Sequence, residues 1–303
     1  MSKLKEIGLA KEEEPLTPQK RISPTSINNF FKCPRSYFYD YVAKIRVIPN
    51  IHLIKGSMVH ETLEKFFKAY PKGDSVDLAQ HALDIFETYW VKHQKEVRTL
   101  ELKPEEVLTA KQDCLNMLNE YIITLKRQIK MLLDVGKAES ERHAYYLLKP
   151  KFREIFVEDK ELHCCGYIDR ITKGFDGRIT LADYKTSSNY GVGMTEEHER
   201  QLSIYSLLYN LQEKIMPDLV AVSFLRYGET YFLKVTPSLL RYARDTITDV
   251  WGKTRTIDIE AYPLKESSLC KWCQYHSICS GHDDWESIVR QQRLKDLVTS
   301  NRT

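Results

Sequence analysis

Two short segments, separated by a glycine-containing turn, most constrain how this chain folds. Residues 166–169 (Gly-Tyr-Ile-Asp) and 183–185 (Asp-Tyr-Lys) each lie in a stretch typical of a β-strand, and Asp176-Gly177 between them is typical of a turn. Because alternate residues of a strand point to the same face, Asp183 and Lys185 project side by side. If the two strands pair as a hairpin, Asp169 reaches the same place. Two carboxylates and an ammonium would then converge in an arrangement that suits a divalent cation and a positioned water.

Bulk composition is that of an ordinary globular protein. The chain has 303 residues, 42% hydrophobic and 29% charged, which allows a substantial buried core. Its net charge of +3 neither favours nor excludes a nucleic-acid partner, because an acidic metal site beside a basic groove would cancel in the sum. No apolar run approaches the roughly 20 residues that span a bilayer. We therefore expect no membrane association and a cytoplasmic location (the host cytoplasm if the gene is phage-borne), with the seven cysteines reduced.

Helical and strand patterns follow one another along the chain. Residues 1–20, charged and proline-containing, predict a mobile arm. The order of the remaining segments predicts a mixed α/β domain that carries a helical insertion. The expected elements are helices at about 55–69, through 76–148 and at 196–212, 239–254 and 283–297, with strands within 152–186, 219–226 and 230–235.

Four cysteines form a candidate metal-binding set. Cys270, Cys273 and Cys279 fall within ten residues, and Cys33 lies far away in the sequence. On ligand count alone, four thiolates suit a zinc ion and an iron–sulfur cluster equally well. Scattered buried cysteines or a redox Cys-x-x-Cys pair are the alternatives. A cluster joining Cys33 to Cys270 would close 270 − 33 = 237 residues of chain, and as a simple cross-link would contribute on the order of 5 kcal/mol.

His60 is the candidate third ligand of the carboxylate site. It lies on a predicted helix beside the buried face, where a lone histidine is more often a packing or surface residue. Combined with Asp169 and Asp183, its imidazole would give a mixed nitrogen and oxygen set that tolerates Mn²⁺ as well as Mg²⁺. Lys185 is a poor metal ligand, but it can hold an attacking water and stabilise charge that develops on a phosphate.

Gln201 and Tyr205 lie four residues apart on a predicted helix and therefore share a face. Taken alone they indicate an exposed polar pair.

Together with the other motifs, these two residues make the sequence resemble the RecB-type branch of the PD-(D/E)XK nuclease superfamily, specifically its members that carry an iron–sulfur cluster. Those members include CRISPR-associated spacer-processing exonucleases, the AddB nuclease domain and the eukaryotic replication nuclease-helicase. The matching motifs are Ser23-Pro24-Thr25-Ser26 leading to Cys33-Pro34-Arg35, Gly56-x3-His60-Glu61, Gly166-x2-Asp169, Asp183-Tyr184-Lys185-Thr186, Gln201-x3-Tyr205 and Cys270-x2-Cys273-x5-Cys279.

The resemblance extends from about residue 23 to residue 279, with one departure: Ile168 replaces the proline of the nominal signature, as is usual in this branch. It implies a restriction-endonuclease-like α/β fold, with a mixed β-sheet core flanked by helices and a C-terminal iron–sulfur segment. The implied domains are a flexible arm over 1–20, a nuclease domain over 21–282 with a helical insertion at about 74–148 and a cluster segment at 270–279, and a C-terminal helix or tail over 283–303.

The resemblance also assigns roles to the candidate residues. The catalytic Mg²⁺ or Mn²⁺ would be bound by His60, Asp169 and Asp183. Lys185 would be catalytic alongside the two aspartates, with Gln201 and Tyr205 as an accessory catalytic motif near the substrate. A 4Fe-4S cluster would be held by Cys33, Cys270, Cys273 and Cys279.

The expected function is that of a metal-dependent DNA exonuclease acting on single strands or DNA ends, in CRISPR spacer processing or in recombination and repair. A helicase or a spacer-integration protein is an expected partner, since the sequence has no Gly-x4-Gly-Lys-Ser/Thr loop of its own. The alternatives are a DNA-end-binding assembly subunit in which cleavage is secondary, and a zinc-bound structural protein. Candidate DNA contacts are the cations Arg35, Lys44, Arg46, Lys126, Arg127 and Lys130, with Tyr37 and Tyr41 available to stack on unpaired bases.

Overall fold

The computed structural model of the protein describes residues 16–47, 50–68, 70, 77–187 and 193–300. Most of the predicted N-terminal arm therefore lies outside the described residues. The helices are α1 (Pro24–Lys32), α2 (Pro34–Tyr37), α3 (Ile51–Phe66), α4 (Leu78–Arg98), α5 (Pro104–Asp134), α6 (Glu141–Leu148), α7 (Glu196–Glu213), α8 (Pro237–Lys253), α9 (His276–Cys279) and α10 (Trp285–Ser300). A π-helical turn covers Phe38–Val42, and 3₁₀ turns cover Ile259–Ala261 and Cys270–Trp272. The strands are β1 (Phe152–Asp159), β2 (Cys164–Lys173), β3 (Ile179–Lys185), β4 (Leu219–Phe224) and β5 (Glu229–Lys234).

The chain divides into two compact units. One comprises the described residues between Ile48 and Ile247, and the other comprises those up to Val47 together with those from Thr248 onwards. The domain boundaries expected at residues 20 and 282 follow motif positions rather than compactness, and they stay a prediction.

The larger unit is built on a five-stranded sheet with the order β1-β2-β3-β4-β5. Neighbouring strands are antiparallel except β3 and β4, which are parallel. Since parallel neighbours need a crossover connection, the chain leaves β3, forms α7 and returns as β4, and α7 packs on β1, β2, β3 and β4. In the turn between β2 and β3, Gly177 has a φ of +81°, a left-handed conformation that glycine adopts without strain. The predicted mixed α/β architecture is confirmed.

Helix α3 begins four residues earlier than its apolar pattern predicted. The side chain of Asn50 accepts a hydrogen bond from the backbone N–H of Leu53 and so caps the first turn. Helices α3, α4 and α5 then bury a shared core, which also includes Tyr184 from β3. The Tyr184 hydroxyl lies 3.2 Å from the hydroxyl of Tyr121 in α5, within hydrogen-bond distance. Other members of this core are Ile54, Met58, Val59, Leu63, Phe86, Trp90, Val97, Cys114, Met117, Leu118 and Leu225.

Aromatic packing holds the smaller unit together. Tyr37 is completely buried and stacks on Tyr262, with ring centroids 6.0 Å apart. The Tyr275 hydroxyl donates a hydrogen bond to Asp40 at 3.1 Å. Residues near the two ends of the chain are thus joined within one core. Among all described helices of the protein, none combines the length and apolar character needed to cross a membrane.

Candidate metal-dependent catalytic site

The two aspartates meet where β2 and β3 separate. The ladder between these strands ends at the pair Arg170 and Ala182. One residue further along, the Asp169 carboxylate accepts a hydrogen bond from the backbone N–H of Tyr184 at 2.6 Å. Asp169 and Asp183 are both buried here. The side chain of Asp169 therefore takes the place of a ladder partner, and the end of the hairpin carries two adjacent carboxylates.

His60 reaches this point from α3. Its Nδ1 lies 3.4 Å from Oδ1 of Asp169 and 4.0 Å from Oε1 of Glu154. The ligand atoms of His60, Glu154 and Asp169 all lie within 4.8 Å of one another, which is close enough for one ion to contact all three. One imidazole and two carboxylates form a donor set that suits Mn²⁺ or Mg²⁺.

The assembled group differs from the predicted set in one member. Glu154 takes a position beside His60 and Asp169, whereas Asp183 directs its oxygens towards Lys185 and Gln201. Nζ of Lys185 lies 2.8 Å from Oδ2 of Asp183 as an ion pair, without the alignment of a hydrogen bond. Oδ2 of Asp183 therefore keeps acceptor capacity for a cation or a water molecule.

Sequence reasoning missed Glu154. The residue lies in β1 between Arg153 and Ile155, which pair with Arg170 and Ile168 of β2, while Glu154 itself has a left-handed φ of +48° and is absent from the ladder. Left-handed backbone at a non-glycine residue is a strained arrangement that is often found at functional sites. No spacing motif in the sequence marks this glutamate. The only signal is its position opposite Asp169, which requires the register of β1 on β2.

The crowding of carboxylates in this group favours a bound positive charge. Burial alone would lower the pKa of His60, but the carboxylates of Asp169, Asp183 and Glu154 outweigh it and raise that pKa to about 9. Burial, reinforced by Asp169, raises the pKa of Glu154 to about 7. The protonated imidazole thus partly compensates the carboxylates. A divalent cation would provide the same compensation with a larger charge.

Lys185 remains an ammonium in this setting. Burial alone would lower its pKa, but the neighbouring carboxylates of Asp183 and Asp169 raise it overall. Gln201 fixes the position of the ammonium, because its Oε1 accepts a hydrogen bond from Nζ of Lys185 at 2.8 Å. The Lys185 ammonium is therefore held beside the carboxylates rather than moving freely in solvent.

Gln201 and Tyr205 project together from α7. Besides its bond from Lys185, Gln201 donates through Nε2 to Oδ1 of Asp183 at 2.9 Å and to the Tyr205 hydroxyl at 3.3 Å. Burial raises the pKa of Tyr205, which keeps its hydroxyl protonated. Both side chains are buried, so the exposed polar pair that their spacing alone would indicate is not what forms. The structure brings His60, Asp169, Asp183, Lys185, Gln201 and Tyr205 into one connected group.

The four predicted cluster cysteines all belong to the smaller unit. Cys33 lies between α1 and α2, Cys270 and Cys273 lie in and after a 3₁₀ turn, and Cys279 ends α9. Burial and the nearby thiols of Cys273 and Cys33 raise the pKa of Cys279, so these three side chains are close although 279 − 33 = 246 residues separate the outer two. These three neighbouring thiols, together with Cys270 three residues before Cys273, are a chemically suitable donor set for a metal cluster.

Several predicted DNA contacts are engaged within the protein. Arg35 donates to the backbone carbonyl of Tyr262 at 2.7 Å and pairs with Glu260 at 3.6 Å. Tyr37 is buried in the aromatic core, so the prediction that it stacks on a base is wrong. Tyr41 packs half-buried against that core. The other cations are exposed, with Arg46, Lys126 and Lys130 in ion pairs with Asp296, Asp77 and Asp134 respectively.

The residues of this carboxylate, imidazole and lysine group all lie within the range covered by a protein-family model. The model of the PD-(D/E)XK nuclease superfamily matches residues 21–280. The chain therefore belongs to the PD-(D/E)XK nuclease superfamily, whose members use divalent metals, and this confirms the superfamily level of the resemblance.

Comparison with individual proteins adds little to this assignment. No protein of curated function matches the chain. A solved structure from Eubacterium rectale, described as a "Putative exonuclease", is 13% identical, with 84% of this chain and 88% of that one covered and a TM-score of 0.45. The structure of SSO0001 is 15% identical, with 75% of this chain and 96% of that one covered and a TM-score of 0.27. Both TM-scores lie below 0.5, so neither likeness adds to the family assignment.

Proposed function

We propose that the protein is a metal-dependent DNA exonuclease of the RecB-like branch, acting on single strands or DNA ends. The observation that carries this proposal is the convergence of His60, Glu154 and Asp169 within 4.8 Å of one another, beside the ion pair of Asp183 and Lys185. A protein that only binds DNA ends has no need for a buried group of carboxylates, which repels the phosphate backbone unless a cation is bound. The superfamily membership supports hydrolysis of a phosphodiester as the reaction.

The roles of the side chains follow from their contacts. His60, Glu154 and Asp169 would hold the cation, with Asp183 completing the acidic group. When bound, a divalent cation supplies Lewis acidity towards the phosphate and the attacking water. Lys185 is fixed by Asp183 and Gln201, so its ammonium can orient that water and offset the charge that develops on the phosphate.

Gln201 has a positioning role in this scheme. Its amide joins Lys185, Asp183 and Tyr205 through hydrogen bonds of 2.8, 2.9 and 3.3 Å. It therefore fixes the distance between the ammonium and the carboxylate. Tyr205, protonated and buried, supports the amide from the same helix.

Digestion of end-labelled single-stranded DNA with Mn²⁺ or Mg²⁺ tests the assignment. The Asp183→Ala variant should lose cleavage, whereas Asp176→Ala, an exposed aspartate in the turn between β2 and β3, should cleave like the wild type. Equal digestion by wild type and Asp183→Ala would overturn the assigned site. End binding by the wild type without cleavage at either metal would instead support an assembly subunit.

A circular substrate separates exonuclease from endonuclease action. The proposal expects circular single-stranded DNA to resist digestion while the linear form of the same sequence is degraded. Linearisation of the circle would contradict the requirement for an end.

We also propose that the reaction serves CRISPR spacer processing or recombination and repair, with a helicase or a spacer-integration protein as partner. Co-purification with such a protein tests that context.

For the smaller unit, we propose that Cys33, Cys270, Cys273 and Cys279 hold a 4Fe-4S cluster that links the two ends of the chain. Four thiols are a suitable donor set, and the pKa of Cys279 is raised partly by the nearby thiols of Cys273 and Cys33. The choice of an iron–sulfur cluster over zinc rests on the resemblance of the cysteine spacing to the cluster-bearing nucleases. An anaerobically purified protein should be brown with broad visible absorbance. A colourless protein with stoichiometric zinc would refute the cluster.

A further inference from the structure

Two aromatic rings are exposed side by side on the hairpin of β1 and β2. Phe156 and Tyr167 are direct partners across the two strands, with ring centroids 5.1 Å apart and planes inclined by 53°. Phe156 is 38% exposed and Tyr167 is 57% exposed. Single exposed aromatics are common on protein surfaces, but a touching pair presents a continuous apolar face to solvent.

The pair lies next to the candidate catalytic group. Phe156 is two residues from Glu154 along β1, and Tyr167 is two residues from Asp169 along β2. Two residues of strand span about 7 Å. A nucleotide adjacent to a phosphate held by the cation would therefore have its base within reach of these rings.

Two lysines accompany exposed aromatic residues just before this hairpin. Nζ of Lys151 lies 5.2 Å from the ring centroid of Phe152, and Nζ of Lys149 lies 5.7 Å from that of Tyr146. Both rings are exposed. Nζ of Lys149 also donates a long hydrogen bond to the backbone carbonyl of Lys68 at 3.5 Å, and among the described residues neither ammonium forms an ion pair with a carboxylate. Such alternation of basic and aromatic side chains matches the phosphates and bases of a single nucleic-acid strand.

We propose that Phe156 and Tyr167 form a stacking platform for an unpaired base of the DNA substrate, with Lys149 and Lys151 binding its phosphates. This inference rests on the proposed nuclease function and specifies the substrate of that same site. An internal base of a duplex has both faces covered by its neighbours, and a blunt end exposes one face of its terminal pair only, so the platform favours bases of a single strand or a frayed end. The platform thereby makes the enzyme prefer single-stranded DNA over blunt duplex.

Binding in EDTA tests the platform without cleavage. Affinity for a fluorescein-labelled single-stranded oligonucleotide is measured by anisotropy for wild type and for the Phe156→Ala/Tyr167→Ala variant. Stacking on an aromatic side chain contributes on the order of 1–3 kcal/mol per base, so the variant should bind at least about 5-fold more weakly. The matched control is Phe232→Ala, which removes a 61% exposed ring from β5 at the opposite edge of the sheet; its affinity should equal that of the wild type.

A second readout reports stacking directly. An oligonucleotide containing 2-aminopurine should lose fluorescence on binding the wild type, because the base stacks, and should lose less on binding the double-alanine variant. Tyr167→Phe keeps the ring and should retain both the quenching and the affinity. Comparison of thermal melting curves ensures that a lost signal does not reflect unfolding.

Each contrary result has a distinct meaning. Unchanged affinity and quenching in the double-alanine variant would overturn the platform, as would an equal loss of affinity for blunt duplex. A wild type that dimerises while the variant is monomeric, with DNA binding unchanged, would assign the rings to an interface between two copies of the chain. Because these measurements need no metal, absence of cleavage by the wild type would refute the nuclease proposal and leave the platform to be judged by binding alone.

Discussion

The Asp113→Asn substitution probes the ion-pair group that joins α3, α5 and the turn after β4. Oδ2 of Asp113 lies 2.8 Å from Nζ of Lys55, and the guanidinium of Arg226 donates to both carboxylate oxygens at 3.3 and 3.2 Å. The Lys55 side chain is almost fully buried. Asparagine keeps the shape of aspartate but removes the charge that both cations require.

The expected loss of stability follows from the pKa of the Asp113 carboxyl group. Hydrogen bonds from Arg226 and Lys55 lower the pKa of Asp113 from 3.8 to about 2. A shift of this size corresponds to roughly 2 kcal/mol of stability, and the 27% exposure of the side chain leaves only modest solvent screening. Because the folded-state pKa is depressed, this stability is fully present above the pKa of the unfolded state and is lost as the pH falls towards 2. At pH 3, linkage leaves roughly half of it.

Urea-induced unfolding at pH 7 and pH 3 measures both quantities. The free energy of unfolding of Asp113→Asn should be roughly 2 kcal/mol below that of the wild type at pH 7, and the gap should narrow by about half at pH 3. Asp249→Asn is the control, since Asp249 forms an exposed i,i+4 pair with Lys253; it should change stability by less than about 0.5 kcal/mol. A gap of the same size at both pH values would refute the electrostatic reasoning.

Two further substitutions test the surroundings of the catalytic group. Glu154→Gln should raise the Mn²⁺ concentration for half-maximal DNA cleavage by at least about 10-fold, since a metal-binding carboxylate becomes a neutral amide; an unchanged metal titration would exclude Glu154 from the ligand set. Gly56→Ala would place a Cβ 3.3 Å from Oγ1 of Thr186, the residue after Lys185. Alanine favours helix α3 by about 1 kcal/mol over glycine, and crowding against Thr186 should cancel roughly that gain, so the free energy of unfolding should stay near the wild-type value; addition of Thr186→Ala should release the gain and stabilise the protein. A double variant no more stable than Gly56→Ala would show that this contact does not cancel the gain.

Local spacing was enough to place part of the site. Asp183 and Lys185 are two residues apart in a strand, and a glycine turn separates them from Asp169, so alternation and hairpin pairing bring the three together. Glu154 could not be found in this way. Its contribution depends on the register of β1 on β2 and on a left-handed backbone, neither of which a short window of sequence encodes.

Burial of individual polar and aromatic residues was equally beyond the sequence. The helical spacing of Gln201 and Tyr205 says that they share a face, but only the packing of α7 on the sheet shows that this face is buried. From the sequence, Arg35 is predicted to be a free cation, but in the structure it donates a hydrogen bond to the backbone carbonyl of Tyr262, 227 residues away. Tyr37 reads as an available ring until the same residue stacks on it. Contacts at such separations are set by tertiary structure.

Tyr184 packs the helical segment α4–α5 against the strand that carries the candidate catalytic residues. Its neighbours Asp183 and Lys185 point to one face of β3, while its own ring lies among α3, α4 and α5 and its hydroxyl meets Tyr121 of α5. Helices α4 and α5 are therefore part of the packing that supports β3, and their removal would expose the Tyr184 ring. A variant in which this segment is shortened, or exchanged for that of a relative, must supply a new packing partner for Tyr184. Tyr184 lies between Asp183 and Lys185 in β3, so its packing holds in place the strand that carries both side chains.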